Sequence, residues 1–151
     1  MPNAHGGTTQ SISWLRLLML GGLVCLTVGV SRAQADAVFG NESLHSAYGV
    51  QASGQVDGNA LASSGRISFD GRGGCIYVTT MNIEPLGVIG PISTTSCTYA
   101  VTQDGTGTLS MTLPGLGSFT FAFVIAAKGQ EVLGIPTAPA GAIGTLVMKE
   151  Q

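Results

Sequence analysis

The chain has 151 residues and a formal net charge of −2, with 44% hydrophobic and 9% charged residues. This length fits one main domain around one core, and the apolar content is too high for a disordered chain. Because basic residues are so few, we expect no surface that neutralises nucleic-acid phosphates.

The N-terminus has the pattern of an export signal. Arg16 precedes an apolar run over residues 17–30, and Ala33-Gln34-Ala35 forms a small-x-small cleavage motif. A membrane anchor is the alternative, but a span needs about 20 apolar residues and this run is shorter. We therefore predict a signal peptide with a signal helix over residues 1–35. The mature chain, residues 36–151, is expected to be secreted or periplasmic, with no stable membrane span after cleavage.

Short strands separated by turn signals fill the mature part. Residues 67–78 and 100–111 nearly repeat each other, and each segment places an Asp-Gly-x-Gly turn between runs of alternating apolar and small polar residues. Residues 84–91 are predicted to form a broader loop, because Pro85 and Pro91 lack backbone donors. The eight predicted strands cover residues 46–56, 61–69, 75–83, 94–102, 108–113, 118–127, 131–135 and 143–150.

The pattern predicts an all-β fold, an eight-stranded antiparallel up-and-down barrel in a single domain over residues 36–151. Short connections favour antiparallel neighbours, and closure into a barrel removes exposed edges. A two-sheet β-sandwich is the alternative, although it needs longer crossings between sheets. One inner face is expected to carry mostly odd-numbered apolar residues, including Leu133 and Ile135, with even-numbered ones at both ends, namely Tyr48, Val50, Leu146 and Met148.

Cys75 and Cys97 are the two cysteines of the mature part, and an exported chain meets an oxidising compartment. If they face each other on antiparallel neighbours, the turn centre must lie midway between them, at Leu86. That position falls inside the loop predicted from its prolines. We therefore predict a structural disulfide between Cys75 and Cys97, since no Cys-x-x-Cys spacing supports a redox pair.

No catalytic or metal-binding motif is recognisable in the mature part. His45 is its only histidine, and no Gly-x-Ser-x-Gly nucleophile motif occurs. Each Asp-Gly-x-Gly turn offers one carboxylate, whereas calcium takes six to eight oxygen ligands, and one histidine with two paired cysteines does not make a zinc site. We therefore predict no enzyme, no catalytic residue, no metal and no cofactor.

Three segments of the mature chain resemble a known group of proteins. They are Thr98-Tyr-Ala-Val-Thr-Gln-Asp-Gly-Thr-Gly-Thr-Leu109, Phe119-Thr-Phe-Ala-Phe-Val-Ile125 and Gly144-Thr-Leu-Val-Met-Lys-Glu-Gln151. These segments are similar to those of small exported bacterial β-barrel proteins of unknown function. That group is calycin-like, because its strand count resembles that of lipocalin-like and allene-oxide-cyclase-like barrels. The resemblance implies a barrel over most of the mature chain, and it brings no functional residues.

Two functions are consistent with such a barrel. The first is an exported binding barrel that takes a small apolar ligand, as eight-stranded barrels can. The second is a structural or surface-interaction module of the cell envelope without a ligand, with apolar loops at 86–92 and 135–143 as contact surfaces. The sequence leaves the oligomeric state open. The candidate lining residues for a ligand are Tyr77, Tyr99, Phe119, Phe121 and Phe123.

Overall fold

The computed structural model describes residues 38–151, so the predicted signal helix and its cleavage site lie outside the described residues. Nine antiparallel strands form one curled sheet with the shape of a half-barrel. Two short 3₁₀ helices span Asn41–Ser43 and Ala127–Gly129, and within residues 38–151 no helix has the length and apolar character needed to cross a membrane. The strands are β1 (Ala47–Val56), β2 (Asn59–Phe69), β3 (Cys75–Ile83), β4 (Gly87–Ser93), β5 (Ser96–Val101), β6 (Thr106–Leu113), β7 (Gly117–Ala126), β8 (Glu131–Ala138) and β9 (Ile143–Glu150).

The strands follow the order β4-β3-β2-β1-β9-β8-β7-β6-β5 across the sheet. Consecutive strands are antiparallel neighbours, except that β4 and β5 lie at the two edges. β1 and β9 pair at the middle of the sheet, with Tyr48 opposite Glu150 and Gln55 opposite Ile143. The described strands thus form one sheet, made of the meanders β1–β4 and β5–β9 joined by the β1–β9 pair, and not the two-sheet sandwich considered as the alternative.

The structure corrects the prediction for residues 84–91, which were expected to form a loop. This stretch contains most of β4, so the sheet has nine strands where eight were predicted. Gly90 and Pro91 fall where the register between β3 and β4 shifts, as in a β-bulge. Proline has no backbone N–H group to donate. Because β4 is an edge strand with a single neighbour, no second strand loses a hydrogen bond at Pro91.

The segment joining β4 to β5 changes its pairing partner at Thr94 and Thr95. The amide of Thr94 donates to the carbonyl oxygen of Tyr77 on β3, at 2.9 Å, whereas the amide of Thr95 donates to the carbonyl oxygen of Thr112 on β6, also at 2.9 Å. Successive amides therefore point to opposite edges of the sheet. This switch brings β3 and β5 next to each other.

Cys75 and Cys97 lie where β3 and β5 meet. Their sulfur atoms are 2.04 Å apart, the distance of a disulfide bond, and their Cα atoms are 4.9 Å apart. Beside them, Gly74 and Thr98 form an isolated antiparallel bridge. The two cysteines therefore face each other across antiparallel segments, as their sequence numbers predicted.

The parity of the inner face changes at the β7–β8 hairpin. This hairpin pairs Ala126 with Glu131, whose numbers have an odd sum, so the even-numbered residues of β8 point inward. Val132 is fully buried, whereas Leu133 and Ile135 are 40% and 58% exposed. The predicted inward placement of Leu133 and Ile135 is therefore wrong. The β1–β2 hairpin also has an odd sum, which returns the inner face of β2 to odd numbers.

Residues 39–44 cover one end of the half-barrel, which we call the capped end. Leu44 is fully buried there. The hydroxyl group of Tyr99 lies 2.9 Å from the carbonyl oxygens of both Asn41 and Leu44 and donates to them. The rings of Tyr48 and Tyr99 pack edge-on against Phe69, with centroids 5.5 and 4.9 Å away. Aromatic side chains therefore fill the interior at this end.

Candidate binding site

An apolar cavity of about 50 Å³ lies at the opposite end of the half-barrel. We call this the open end; the β1–β2, β3–β4, β6–β7 and β8–β9 connections surround it. Its lining includes inward-facing aliphatic, thioether and aromatic side chains. Among them are Leu61, Met81, Met111, Leu113, Phe119 and Leu146.

Two opposed glycines form part of the cavity wall. Gly54 on β1 pairs with Gly144 on β9, and both residues line the cavity. A Cβ atom at Gly54 would collide with the carbonyl oxygen of Ile143, and one at Gly144 would collide with the carbonyl oxygen of Ser53. Because the two backbones approach so closely, only glycine fits at either position. This stretch of the wall therefore contributes no side chain to the interior.

Three hydroxyl groups meet beside the otherwise apolar cavity. The ring of Tyr77 lies over Gly65, where an added Cβ atom would be 2.9 Å from ring carbon Cε2. The Tyr77 hydroxyl donates to Oγ1 of Thr79 at 2.9 Å, and Oγ of Ser63 is 3.5 Å from the Tyr77 oxygen. Thr79 in turn donates to the carbonyl oxygen of Ser64 at 3.2 Å. Tyr77 and Ser63 line the cavity, so both can offer a hydrogen bond to its contents.

Exposed apolar side chains lie around the open end. Ile143 lines the cavity and is 71% exposed, so the apolar surface continues from the interior to the outside. Leu86 and Val88, in and after the β3–β4 turn, are 66% and 73% exposed. Asp57 and Glu84 are the charged residues of the turns at this end. The surroundings of the cavity are therefore mainly apolar.

The structure brings together three of the five predicted lining residues. Tyr77, Phe119 and Phe121 line the cavity at the open end. Tyr99 is buried at the capped end, and the Phe123 ring covers Gly107 in the interior. Neither Tyr99 nor Phe123 reaches the cavity.

Burial of the capped-end tyrosines perturbs their titration. Burial, together with the nearby Glu150 carboxylate, raises the pKa of Tyr48 to about 12. Its hydroxyl donates to the carbonyl oxygen of Gly129 at 2.6 Å. Burial also raises the pKa of Tyr99. Both hydroxyl groups thus stay protonated. Tyr99 bonds to the capping residues and Tyr48 bonds to the β7–β8 connection, which assigns both a structural role.

The two Asp-Gly-x-Gly motifs form the β2–β3 and β5–β6 turns at the capped end. Oδ1 of Asp70 accepts hydrogen bonds from the amides of Arg72 and Gly74, at 2.7 and 2.9 Å, and these bonds lower the pKa of Asp70. Hydrogen bonds from Thr102 and Thr106 lower the pKa of Asp104 to about 2. The carboxylates therefore stabilise their own turns, as the sequence predicted.

The described residues show no grouping of the kind that metal binding requires. Within residues 38–151, no three His, Cys, Asp or Glu side chains lie together in a way that could hold a metal ion. His45 is exposed, and its Nδ1 atom lies 2.9 Å from the carbonyl oxygen of Glu42. The cavity is thus the site with the clearest chemical character.

Sequence reasoning missed several residues of this site. Ser63 and Met81 share the odd parity of their predicted strands, which could have placed them on the inner face. Gly54 and Gly144 share the even parity of the inward residues on the two terminal strands. The odd or even residue number therefore indicated that these residues face inward, although it does not show where the inner face leaves a void.

Comparison of the chain with protein-family models, with curated proteins and with solved structures found no match.

Proposed function

We propose that this is an exported, calycin-like binding protein that holds one end of a small, largely apolar ligand in its open-end cavity. The observation that carries the proposal is a cavity with apolar walls that continues onto the exposed side chain of Ile143. Pockets for whole drug-sized ligands enclose roughly 300–1,000 Å³. At about 50 Å³, this cavity can hold only one end of a chain-like ligand, and the rest of the ligand would lie on the surface around the open end.

The proposal includes closure of the half-barrel into a functional barrel. The partner switch at Thr94 and Thr95, the Gly74–Thr98 bridge and the Cys75–Cys97 pair all support closure, since each connects the β3 side of the sheet to the β5–β6 side. A closed wall would keep Tyr77 of β3 and Met111 of β6 at a fixed separation. A binding function requires such a wall, because a loose one would collapse into a cavity of this size.

The uncharged lining of the cavity supports an uncharged ligand and a binding role without catalysis. Of the residues described, none that lines the cavity carries a formal charge. An ionised ligand group would therefore lose its hydration without a compensating partner. The hydroxyl groups of Ser63 and Tyr77 can form hydrogen bonds, but among residues 38–151 no acidic or basic side chain lines the cavity beside them to activate a nucleophile.

Titration with 1-chlorohexane, followed by amide chemical shifts, tests the proposed function. The amides of Gly54 and Gly144 are expected to shift in a saturable way. Ala52→Leu fills the cavity and should abolish the shifts, whereas Ala62→Leu on the outer face of β2 is the matched control and should leave them unchanged. Shifts that persist in Ala52→Leu would place binding elsewhere. Native mass spectrometry of protein from its own host would then identify a retained ligand.

A surface-interaction module of the cell envelope remains the second candidate. It is favoured by exposed apolar side chains in both segments that the sequence had singled out, including Leu86, Val88, Ile135 and Ile143. Such side chains contribute binding energy when a partner covers them. Serine substitutions at Leu86 and Val88 should abolish association with cell envelopes if this candidate is correct, while Ala52→Leu should leave association intact. The binding-protein proposal predicts that neither change affects association.

A further inference from the structure

The hydroxyl groups at the cavity allow the ligand class to be narrowed. We propose, building on the proposed function, that the ligand is an uncharged aliphatic alcohol whose hydroxyl end enters the cavity first. Its hydrocarbon part would pass between the apolar walls and emerge beside Ile143. Ser63 and Tyr77 would be the residues that recognise its hydroxyl group.

The hydrogen bonds already made leave capacity at both residues. Ser63 has its nearest polar contact at 3.5 Å, from Oγ to the Tyr77 hydroxyl oxygen, whereas O–H···O bonds usually span about 2.7–2.8 Å. The Tyr77 hydroxyl uses its single proton toward Thr79, so its oxygen still has a lone pair. A ligand hydroxyl can therefore donate to Tyr77 and accept from Ser63 at the same time.

The orientation of Tyr77 places this pair inside the cavity. Gly65 has no side chain, so the Tyr77 ring can lie against it, and the Tyr77 hydroxyl group reaches Thr79 further along β3. That direction leads from the capped end toward the open end. Other polar lining residues, among them Ser53, Gln55 and Thr145, are exposed. The buried hydrogen-bonding capacity of the site is thus concentrated at Ser63 and Tyr77.

The remaining features of the cavity exclude other ligand classes. A carboxylate or an ammonium group would be buried without an opposite charge. A pure hydrocarbon would leave the Ser63 hydroxyl group with only its 3.5 Å contact to Tyr77, although it would otherwise fit the walls. A single neutral hydroxyl group matches both the apolar walls and the two free hydrogen-bonding positions.

Parallel titrations with 1-hexanol and 1-chlorohexane test this inference, because the two probes differ mainly in one terminal group. Ser63→Ala is expected to weaken 1-hexanol binding by about two- to tenfold, the range for loss of one hydrogen bond, and to change 1-chlorohexane binding by less than about twofold. Ser64→Ala on the exposed face of the same strand is the matched control and should change neither affinity. Tyr77→Phe should reproduce the selective loss, with thermal unfolding used to confirm that this variant is folded.

The outcomes separate the two proposals. If both probes bind and Ser63→Ala weakens both equally, or neither, the alcohol inference is overturned while the apolar binding function stands. If neither probe shifts the amides around the cavity of the unmodified protein, the binding function itself fails. Selective loss of 1-hexanol affinity in both variants supports the inference.

Discussion

Removing the covalent link between Cys75 and Cys97 is expected to lower the free energy of unfolding by about 3 kcal/mol. The two cysteines are 22 residues apart in the sequence. In the chain-entropy picture, a link closing a loop of this length removes about 11 cal/mol/K from the unfolded chain, which is about 3.4 kcal/mol at 25 °C. The link also joins β3 to β5, which share few ladder hydrogen bonds, so little else compensates for its loss.

Urea unfolding of the oxidised and the reduced protein measures this contribution with all side chains unchanged. With a slope of about 1–3 kcal/mol per molar urea, typical of small proteins, the midpoint should fall by about 1–3 M on reduction. The double variant Cys75→Ala, Cys97→Ala should behave like the reduced protein, with a further small loss because Cys97 is buried. Equal midpoints for the oxidised and reduced forms would refute the reasoning and show that the sheet alone holds the two edges together.

Three further predictions concern the sheet and its capped end. Val132→Ala should lower the free energy of unfolding by about 2 kcal/mol and Leu133→Ala by less than about 0.5 kcal/mol, because only Val132 of the two is buried. If urea unfolding shows equal losses of free energy for the two variants, the β7–β8 register is contradicted. Since burial raises the pKa of Tyr48 from 10 to about 12, the unfolded state loses the proton first, so stability should fall as the pH rises from 10 toward 12. Tyr48→Phe should remove that pH dependence and, at lower pH, be less stable through loss of the hydrogen bond to Gly129; parallel pH profiles for both proteins would disprove the assignment. Hydrogen bonds from neighbouring threonine hydroxyls lower the pKa of Asp104 from 3.8 to about 2. The stabilising contribution of this carboxylate should therefore be present at neutral pH and disappear as the pH falls through 2. Thermal unfolding of Asp104→Ala beside the unmodified protein measures this contribution as a difference in stability, and the difference should vanish in acid.

The all-β meander could be predicted because its signals are local. Alternating apolar residues and Asp-Gly turns appear within short windows, and the structure has strands at almost all of the predicted positions. The facing of Cys75 and Cys97 was also predicted from their sequence numbers, although β3 forms its hairpin with β4 and meets β5 only through the switch at Thr94 and Thr95. These features do not depend on distant parts of the chain.

The parity change in β8 could not be predicted, because it depends on unusual backbone angles in the preceding turn. Ala127 and Lys128 adopt φ values of 47° and 58°, followed by Gly129 at 96°. Left-handed conformations are uncommon for alanine and lysine, so neither residue type signals such a turn. One residue of difference in the connection moves every side chain of β8 to the other face. Leu133 and Ile135 consequently point outward.

The cavity was only partly predictable from the sequence. Inward parity identified Tyr77, Phe119 and Phe121, but the position of the void depends on which small residues meet across the sheet. Gly54 and Gly144 lie opposite each other because β1 pairs with β9, a contact between residues 90 positions apart in the sequence. Without that long-range register, the sequence does not show that these two glycines pair.

The pairing of the first and last strands determines when the sheet can be completed. β9 lies between β1 and β8, and the amide of Gln151 donates to the carbonyl oxygen of Ala47 at 3.0 Å. Before residues 143–150 pair, the meanders β1–β4 and β5–β8 are connected only where β3 meets β5. The pairing of β1 with β9 brings together residues about a hundred positions apart, which is slow and entropically costly. A chain that folds this way keeps an incomplete sheet, with β1 and β8 each lacking a neighbour, until β9 is in place between them.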